Sequence, residues 1–470
     1  ARLWSEYLLG LSSKPNTLGK IWYLLRRRND SSVRALGFLP LASKEKLEKL
    51  EGFDENESMR SAKSARRKVL VWVQQEMRVL LGPRYHSPSL VKETVLRDPQ
   101  VQELISRLAK EQGVDRKKLM SQAYQNLTEI AADYHVRLIE VLYVFLNWLF
   151  SKVFDGIDIK ESEWLQVREI MKNKPVAFVP CHRSHLDYLV IPYVLFRHDM
   201  VTPHIAAGIN LSFWPVGHFL RRGGAFFIRR SFRGEELYQL LLAKYVQNLL
   251  KNRYNLKFFI EGTRSRSGKM LAPAYGMLKM VMEAHSNHVC EDVVLVPVSL
   301  CYDEVPEQGT YSRELGGGQK AKESALGLLK SRKLIQRRFG KVYVRLAPPI
   351  STKAVFEGAE KDPRRRLQKT AFQICKSICD KTPITPKSLV STVLLCHRNP
   401  LLSLEEILRV GLVLGHYVRH AGLELSVPSD AALRLGIERT VRRLRKSGVR
   451  RRVPSRRQYL RGARVKCPGN

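Results

Sequence analysis

Between Lys174 and Leu346, short apolar runs alternate with stretches patterned as helices, and this alternation restricts the fold more than any other feature. Pro175-Val-Ala-Phe-Val-Pro180 is bounded by prolines and reads as a buried strand. Gly224–Ile228, Leu256–Ile260, Val293–Ser299 and Lys341–Leu346 read the same way. The stretches Leu186–Phe196, Glu235–Asn252 and Gly276–His285 carry helical patterns instead. Strands alternating with helices predict an α/β core with a mostly parallel sheet flanked by helices.

Helical regions are expected on both sides of this core. The spacing predicts an N-terminal helical region over 1–170, a core domain over 171–352 and a C-terminal helical region over 353–438. Leu47–Arg78 is rich in charge, and apolar residues recur at helical spacing from Val69 to Leu81. Another helical region begins near Lys117 and runs into Leu138–Phe150, which carries Trp148 and is too short to span a bilayer. That run fits a buried core helix or an interfacial helix lying on a membrane. No stretch of about 18 apolar residues occurs, so no transmembrane helix is expected. In the C-terminal region, Lys361-Asp-Pro opens one helix, Thr382–Pro386 links it to the next, and Leu404–His420 forms another.

Charge narrows the choice of partner. The 470 residues hold 81 Lys and Arg against 44 Asp and Glu, a formal charge of +37. The partner is therefore expected to be an anion: nucleic acid, an acidic membrane surface or a phosphorylated small molecule. Arg439–Asn470 contributes 13 of the positive charges with no acidic residue, and is expected to be a disordered basic tail. Without it the charge is still +24, so the tail exaggerates the imbalance without creating it. The seven cysteines form no CxxC pair, which suits a reducing compartment. The chain opens at Ala1 with no initiator Met and no signal peptide, and reads as a possible fragment.

Four segments carry chemistry. Pro180-Cys-His-Arg-Ser-His-Leu-Asp187 lies at a strand-to-helix junction, where helix N–H groups can receive negative charge. His182 and Asp187 are five residues apart, roughly 140° around an ideal helix, so they do not share a helical face. They can meet if His182 sits in the loop and Asp187 in the first turn, as a base oriented by a carboxylate. Gly223-Gly-Ala-Phe-Phe-Ile-Arg229-Arg230 delivers two arginines to a strand end, suited to phosphate or simply to solvent. Phe258-Phe-Ile-Glu261-Gly262-Thr-Arg264-Ser-Arg266-Ser-Gly268-Lys269 looks superficially like a Walker A loop. Its glycines are one residue too far apart, and Met270 stands where Ser or Thr is required. What remains is a small-residue turn with cations and hydroxyls that can cradle a phosphate monoester. Val296-Pro-Val-Ser-Leu-Cys-Tyr-Asp303 is a strand leading into a loop.

In this order, His-x4-Asp, G-x-x-F-I-R-R, E-G-T-R-S-R and V-P-V-S resemble the four blocks of the glycerophospholipid acyltransferases. The neighbourhood is similar to the glycerol-3-phosphate and dihydroxyacetone-phosphate branch, as are His204–Asn210, Phe213-Trp-Pro and Lys322–Lys330. The likeness covers about 170–352 and does not reach the basic tail. It implies transfer of a fatty acyl group from acyl-CoA or acyl carrier protein to the sn-1 hydroxyl of glycerol 3-phosphate, giving lysophosphatidic acid. Dihydroxyacetone phosphate and lysophosphatidic acid are the alternative acceptors. By the same resemblance His182 is the general base and Asp187 orients it. Arg229, Arg230, Arg264 and Arg266 hold the phosphate, Glu261 and Gly262 shape that pocket, and Pro297 lies on the acyl-donor side. The implied setting is peripheral, on the cytoplasmic face of an anionic membrane, the inner membrane if the source is bacterial.

Other readings of these residues are weaker. Cys181 could carry an acyl group, but a Cys at a strand end is more often buried and inert. His182, His185 and Asp187, or His285, His288 and Cys290, supply no closed ligand set, so neither metal nor cofactor is expected. Cys375 and Cys379 share a helical face and are expected to pack there. A nucleic-acid-binding protein is the alternative from another class, yet no nucleic-acid motif is present.

Overall fold

A capping side chain followed by proline opens three of the helices. Ser87, Asp98 and Asp362 accept from the backbone N–H of Leu90, Gln100 and Arg364. Pro88, Pro99 and Pro363 take first-turn positions where no N–H is needed. The computed structural model describes residues 74–80, 82–83, 85–231, 234–307, 337–396 and 402–446. The chain divides into two compact units, 1–77 and 78–470, and the elements below all belong to the second.

The helices α1 (Pro88–Leu96), α2 (Pro99–Gln112), α3 (Arg116–Ile130) and α4 (Val136–Val153) precede β1 (Gly156–Ile159) and α5 (Glu161–Met171). The middle of the chain runs β2 (Val176–Pro180), α6 (Asp187–Arg197), β3 (His204–Gly208) and α7 (Val216–Arg222). It continues through β4 (Ala225–Ile228), α8 (Glu236–Lys251), β5 (Leu256–Lys257), α9 (Tyr275–Ser286) and β6 (Val294–Tyr302). Then come β7 (Lys341–Leu346), β8 (Ile350–Ser351), α10 (Thr352–Glu357) and α11 (Pro363–Asp380). Last are α12 (Pro386–Cys396), α13 (Leu404–His420) and α14 (Asp430–Lys446).

The sheet has the order β1-β7-β6-β2-β5-β3-β4, with β8 also beside β6. β2, β3, β4, β5 and β6 are mutually parallel where they pair, whereas β7 and β8 run antiparallel to β6. Every residue of β2 is buried, as expected of a strand covered by helices on both faces. One core extends from Val79 to Ile378 and takes in the sheet and its covering helices. A second core lies within α12, α13 and α14, built on Val390, Leu433 and Ile437. The start of α13 carries a full capping box between Ser403 and Glu406.

The α/β class with a mostly parallel sheet is what the alternation predicts. The details differ in several places. The strand read over Leu256–Ile260 is regular only over Leu256–Lys257, although Phe258 and Ile260 N–H still reach the Phe178 and Pro180 carbonyls of β2. β3 and β1 escaped detection because each is a short run without an extended apolar signature. β1 lies inside the stretch expected to be helical and pairs with β7, so the sheet begins before residue 171. Beyond 352 the expected C-terminal region divides: α11 packs on the main core, and α12–α14 enclose the second. The tail expected to be disordered from 439 is helical through Lys446, since α14 buries Ile437 and Val441 on one face. Residues 447–470, like Leu47–Val73 and Lys322–Lys330, lie outside the described residues.

Candidate active site

β2 ends at Pro180 on the carboxyl edge of the sheet, and seven residues later Asp187 opens α6. The intervening loop carries His182, and its Nδ1 lies 2.9 Å from Asp187 Oδ2. The two residues thus meet across the loop and not along a helix face. Asp187 has no exposed surface and its carboxylate is saturated with donors. Oδ2 also accepts from the backbone N–H of Arg183 and, at 2.8 Å, of Ser184. Oδ1 accepts from the Tyr302 hydroxyl at the end of β6. With its Nδ1–H donated to the carboxylate, His182 keeps a lone pair on Nε2.

The third sequence block wraps around the same histidine. Glu261 accepts from His182 N–H at 2.8 Å, from Leu271 N–H at 2.9 Å and from the Arg183 guanidinium at 2.9 and 3.1 Å. Ser265 N–H donates to the His182 carbonyl at 2.9 Å. Gly262 makes the turn possible, with φ at +63° and only 2.8 Å between an added Cβ and that of Ala274. The imidazole stacks on the Phe259 ring at a centroid distance of 3.8 Å and meets Tyr188 edge-on at 5.3 Å. Backbone, ring and carboxylate together leave His182 one orientation.

Burial sets the electrostatics. Desolvation pushes His182 below its usual pKa, outweighing Asp187, which favours the charged ring, and Arg264 and Lys257 add to the lowering. Burial alone would raise Asp187, but the hydrogen bonds from His182, Tyr302 and the backbone more than offset it, so its pKa falls. The pair at neutral pH is therefore a neutral imidazole beside a carboxylate, the protonation state of a general base with its orienting partner. Cys181 is buried, and desolvation raises its thiol to about 12, far from a reactive thiolate.

The remaining candidates are placed unequally. Arg264 joins the His182 cluster through an ion pair with Glu307 at 3.6 Å. Arg266 is half-buried in the same turn, and Arg230 is exposed after β4. Arg229 is already engaged, held by Glu129 at 2.8 Å, by Asn126 at 3.1 Å and by Glu235, over the Tyr238 ring. Its guanidinium braces β4 against α3 and α8, and the arginine pair read from sequence splits into one structural and one exposed member. Pro297 sits inside β6 opposite Val179 of β2, its carbonyl accepting from Ala347 N–H at 2.9 Å. Cys375 packs on the core while Cys379 is exposed.

Sequence reasoning missed several residues here. Tyr302 stands in the fourth block with no signal of its own, and Glu307 lies beyond all four blocks. Glu307 accepts from the Ser184 hydroxyl at 2.9 Å and from His185 N–H at 2.8 Å, capping the loop from above the sheet edge. Burial raises its carboxyl pKa. Phe259 was legible only as one apolar residue among three.

Comparison with known proteins identifies the family. Residues 159–301 match the acyltransferase family, and residues 311–464 match the glycerol-3-phosphate acyltransferase C-terminal region. Curated relatives similar to this chain carry the name glycerol-3-phosphate acyltransferase, two of them as follows. That of Histophilus somni is 37% identical over 365 residues, covering 74% of this chain and 44% of the relative. That of Shewanella loihica is 36% identical over 401 residues, covering 81% and 49%. The chain belongs to the glycerol-3-phosphate acyltransferase family. It spans about half the length of these curated relatives. Among solved structures, a 1-acyl-sn-glycerophosphate (LPA) acyltransferase of Thermotoga maritima aligns over 64% of this chain and 95% of its own, at 19% identity and a TM-score of 0.31.

Proposed function

We propose that the chain transfers a fatty acyl group from a thioester, acyl-CoA or acyl carrier protein, to the sn-1 hydroxyl of glycerol 3-phosphate. The observation that carries this reading is the 2.9 Å hydrogen bond from a neutral His182 to a buried, fully bonded Asp187. His182 Nε2 takes the hydroxyl proton as the oxygen attacks the thioester carbonyl. The tetrahedral oxyanion collapses, the C–S bond breaks, and the leaving thiolate takes the proton back from the imidazolium. Asp187 orients the ring and stabilises its charged form during this cycle. Arg264, Arg266 and Arg230 hold the acceptor's phosphate, which brings its hydroxyl to His182 and makes the step effectively unimolecular. Glu261 and Gly262 shape that pocket, and Pro297 stiffens the strand on the donor side.

The work is done against an anionic lipid surface. α4 buries Ile139, Leu146 and Leu149 but leaves Val141, Val144, Phe145 and Trp148 between 45 and 69% exposed, with exposed Arg137 and Lys152 near its two ends. An apolar stripe flanked by cations suits an interface between acyl chains and phosphate headgroups. Among the described residues no helix is long and apolar enough to cross a membrane.

An acceptor panel tests the activity. Glycerol 3-phosphate, dihydroxyacetone phosphate and lysophosphatidic acid are offered with radiolabelled acyl-CoA or acyl carrier protein to the wild type and to His182→Ala. Glycerol 3-phosphate should be acylated fastest, and the variant should be inactive. Full activity in the variant would overturn the general-base role. Flotation with anionic liposomes at low and high salt tests the surface, and a Val144→Glu, Trp148→Glu variant that floats like the wild type would remove α4 from it.

A further inference from the structure

α6 contains Pro192, which has no N–H to give to the Tyr188 carbonyl one turn earlier and whose ring crowds that oxygen. The helix that begins with Asp187 therefore has a gap in its first turns. The donor comes from the sheet. Lys257 Nζ lies 3.2 Å from the Tyr188 carbonyl oxygen and 2.5 Å from that of Asp187.

A lysine at this place is costly. Residue 257 is the last of β5, paired with Phe178 of β2 on one side and Ile205 of β3 on the other, and its side chain has no exposed surface. An apolar residue would suit the position, since a buried ammonium must be compensated by hydrogen bonds. Burial pushes its pKa down to about 7. The same ammonium stands 5.1 Å from the centroid of Phe259, the ring on which His182 stacks. The α6 turn bearing Asp187 and the platform beneath His182 thus converge on one side chain.

We infer that Lys257 is a positioning residue for the His182–Asp187 pair: its ammonium supplies the donor that Pro192 withholds from Tyr188 and locks the first turn of α6 to the Phe259 platform. This rests on His182 acting as the general base. Lys257 acts through its neighbours and touches neither substrate.

The test is a rescue. Lys257→Met removes the donor, and Pro192→Ala gives the Tyr188 carbonyl a backbone N–H in its place. The single variant should lose roughly tenfold or more in kcat, with both substrate KM values moving by less than about threefold. Its amides over 183–190 should exchange hydrogen faster than those of the wild type. Lys257→Met, Pro192→Ala should recover most of the lost kcat and slow that exchange again. A single variant with wild-type kcat, or a folded double variant with no recovery, would overturn the inference. Should the single variant not fold, the double variant decides alone: folded and active supports the assignment, unfolded or inactive overturns it. The exchange measurement needs no turnover, so it judges Lys257 even if His182→Ala shows that the general-base reading is wrong.

Discussion

The Tyr302 hydroxyl donates to Oδ1 of Asp187 from 115 residues further along the chain. The parallel pairing of β2 and β6 creates this contact, because it brings both strand ends to the same edge of the sheet. Removing the hydroxyl leaves a buried carboxylate oxygen without its donor, which costs about 1–3 kcal/mol. Tyr302→Phe should therefore lower the thermal midpoint and reduce kcat, with little change in acceptor KM. An unaltered midpoint together with an unaltered kcat would show the contact to be idle.

Asp187→Asn should be far more damaging to chemistry than to folding. An amide can present the wrong atom to Nδ1 and no longer fixes the tautomer, a change that lowers kcat by about 10⁴-fold in a triad enzyme. His182 sits below its ordinary 6.5 because burial outweighs Asp187, so the acidic limb of kcat/KM in the wild type should lie below that value. Asp187 raises the histidine, so its loss should move the limb lower still. A pH–rate profile from pH 4 to 8 reads both shifts, and a limb that rises in the variant would contradict the arrangement.

His204 offers a test of stability without chemistry. It lies buried among Tyr85, Tyr134 and Tyr254, and burial lowers its pKa from 6.5 to about 3. A histidine depressed on folding contributes stability that is complete above its unfolded pKa and is lost as pH falls toward the folded one. Between pH 6.5 and about 4 this one ring should remove on the order of 3 kcal/mol. Denaturant unfolding of His204→Phe across that window should show a shallower pH slope than the wild type. Equal slopes would mean that the ring does not stay neutral in the fold.

Arg264 and Arg229 should separate cleanly. Arg264→Ala should raise the apparent acceptor KM by about tenfold or more, with a smaller effect on kcat, as expected for a phosphate contact shared between ground and transition states. Arg229→Ala should lower the thermal midpoint and leave acceptor KM within about threefold, because its guanidinium is tied to Glu129 and Glu235. Steady-state kinetics over a range of glycerol 3-phosphate concentrations distinguishes the two, and a matched rise in KM would return Arg229 to the phosphate pocket.

What could be read from the sequence follows from how local each feature is. His182 and Asp187 lie five residues apart, and the strand before them and helix after them both leave periodic signatures, so their meeting was foreseeable. Glu261 was visible as part of a block, though not its hold on the His182 N–H, which depends on the pairing of β5 and the residues after it with β2. Tyr302 and Glu307 reach the loop only through sheet register, which no short window of sequence records. Arg229 and Arg230 are indistinguishable for the opposite reason. Two adjacent arginines look alike in sequence, and only the acidic residues of α3 and the start of α8 decide which one is free to turn outward.

The reversal of direction between β6 and β7 has a consequence for how such a chain can diversify. Tyr302 and Lys341 stand at adjacent strand ends on the edge that carries the dyad, tied by Asp303 N–H to the Lys341 carbonyl at 3.0 Å and sealed by Gly340 at a φ of +78°. A parallel neighbour would need a crossover of defined length over the sheet, whereas an antiparallel one needs only that its two ends meet. The register of β6 and β7 is therefore held by the pairs at their ends, from Tyr302–Val342 to Val298–Leu346, and not by the length of the chain that joins them. Glu307, five residues past the end of β6, brings its carboxylate to Ser184 and His185 beside Arg264. A change at this one side chain alters the charge beside His185 and Arg264 while the strand pairings that hold His182 and Asp187 stay as they are.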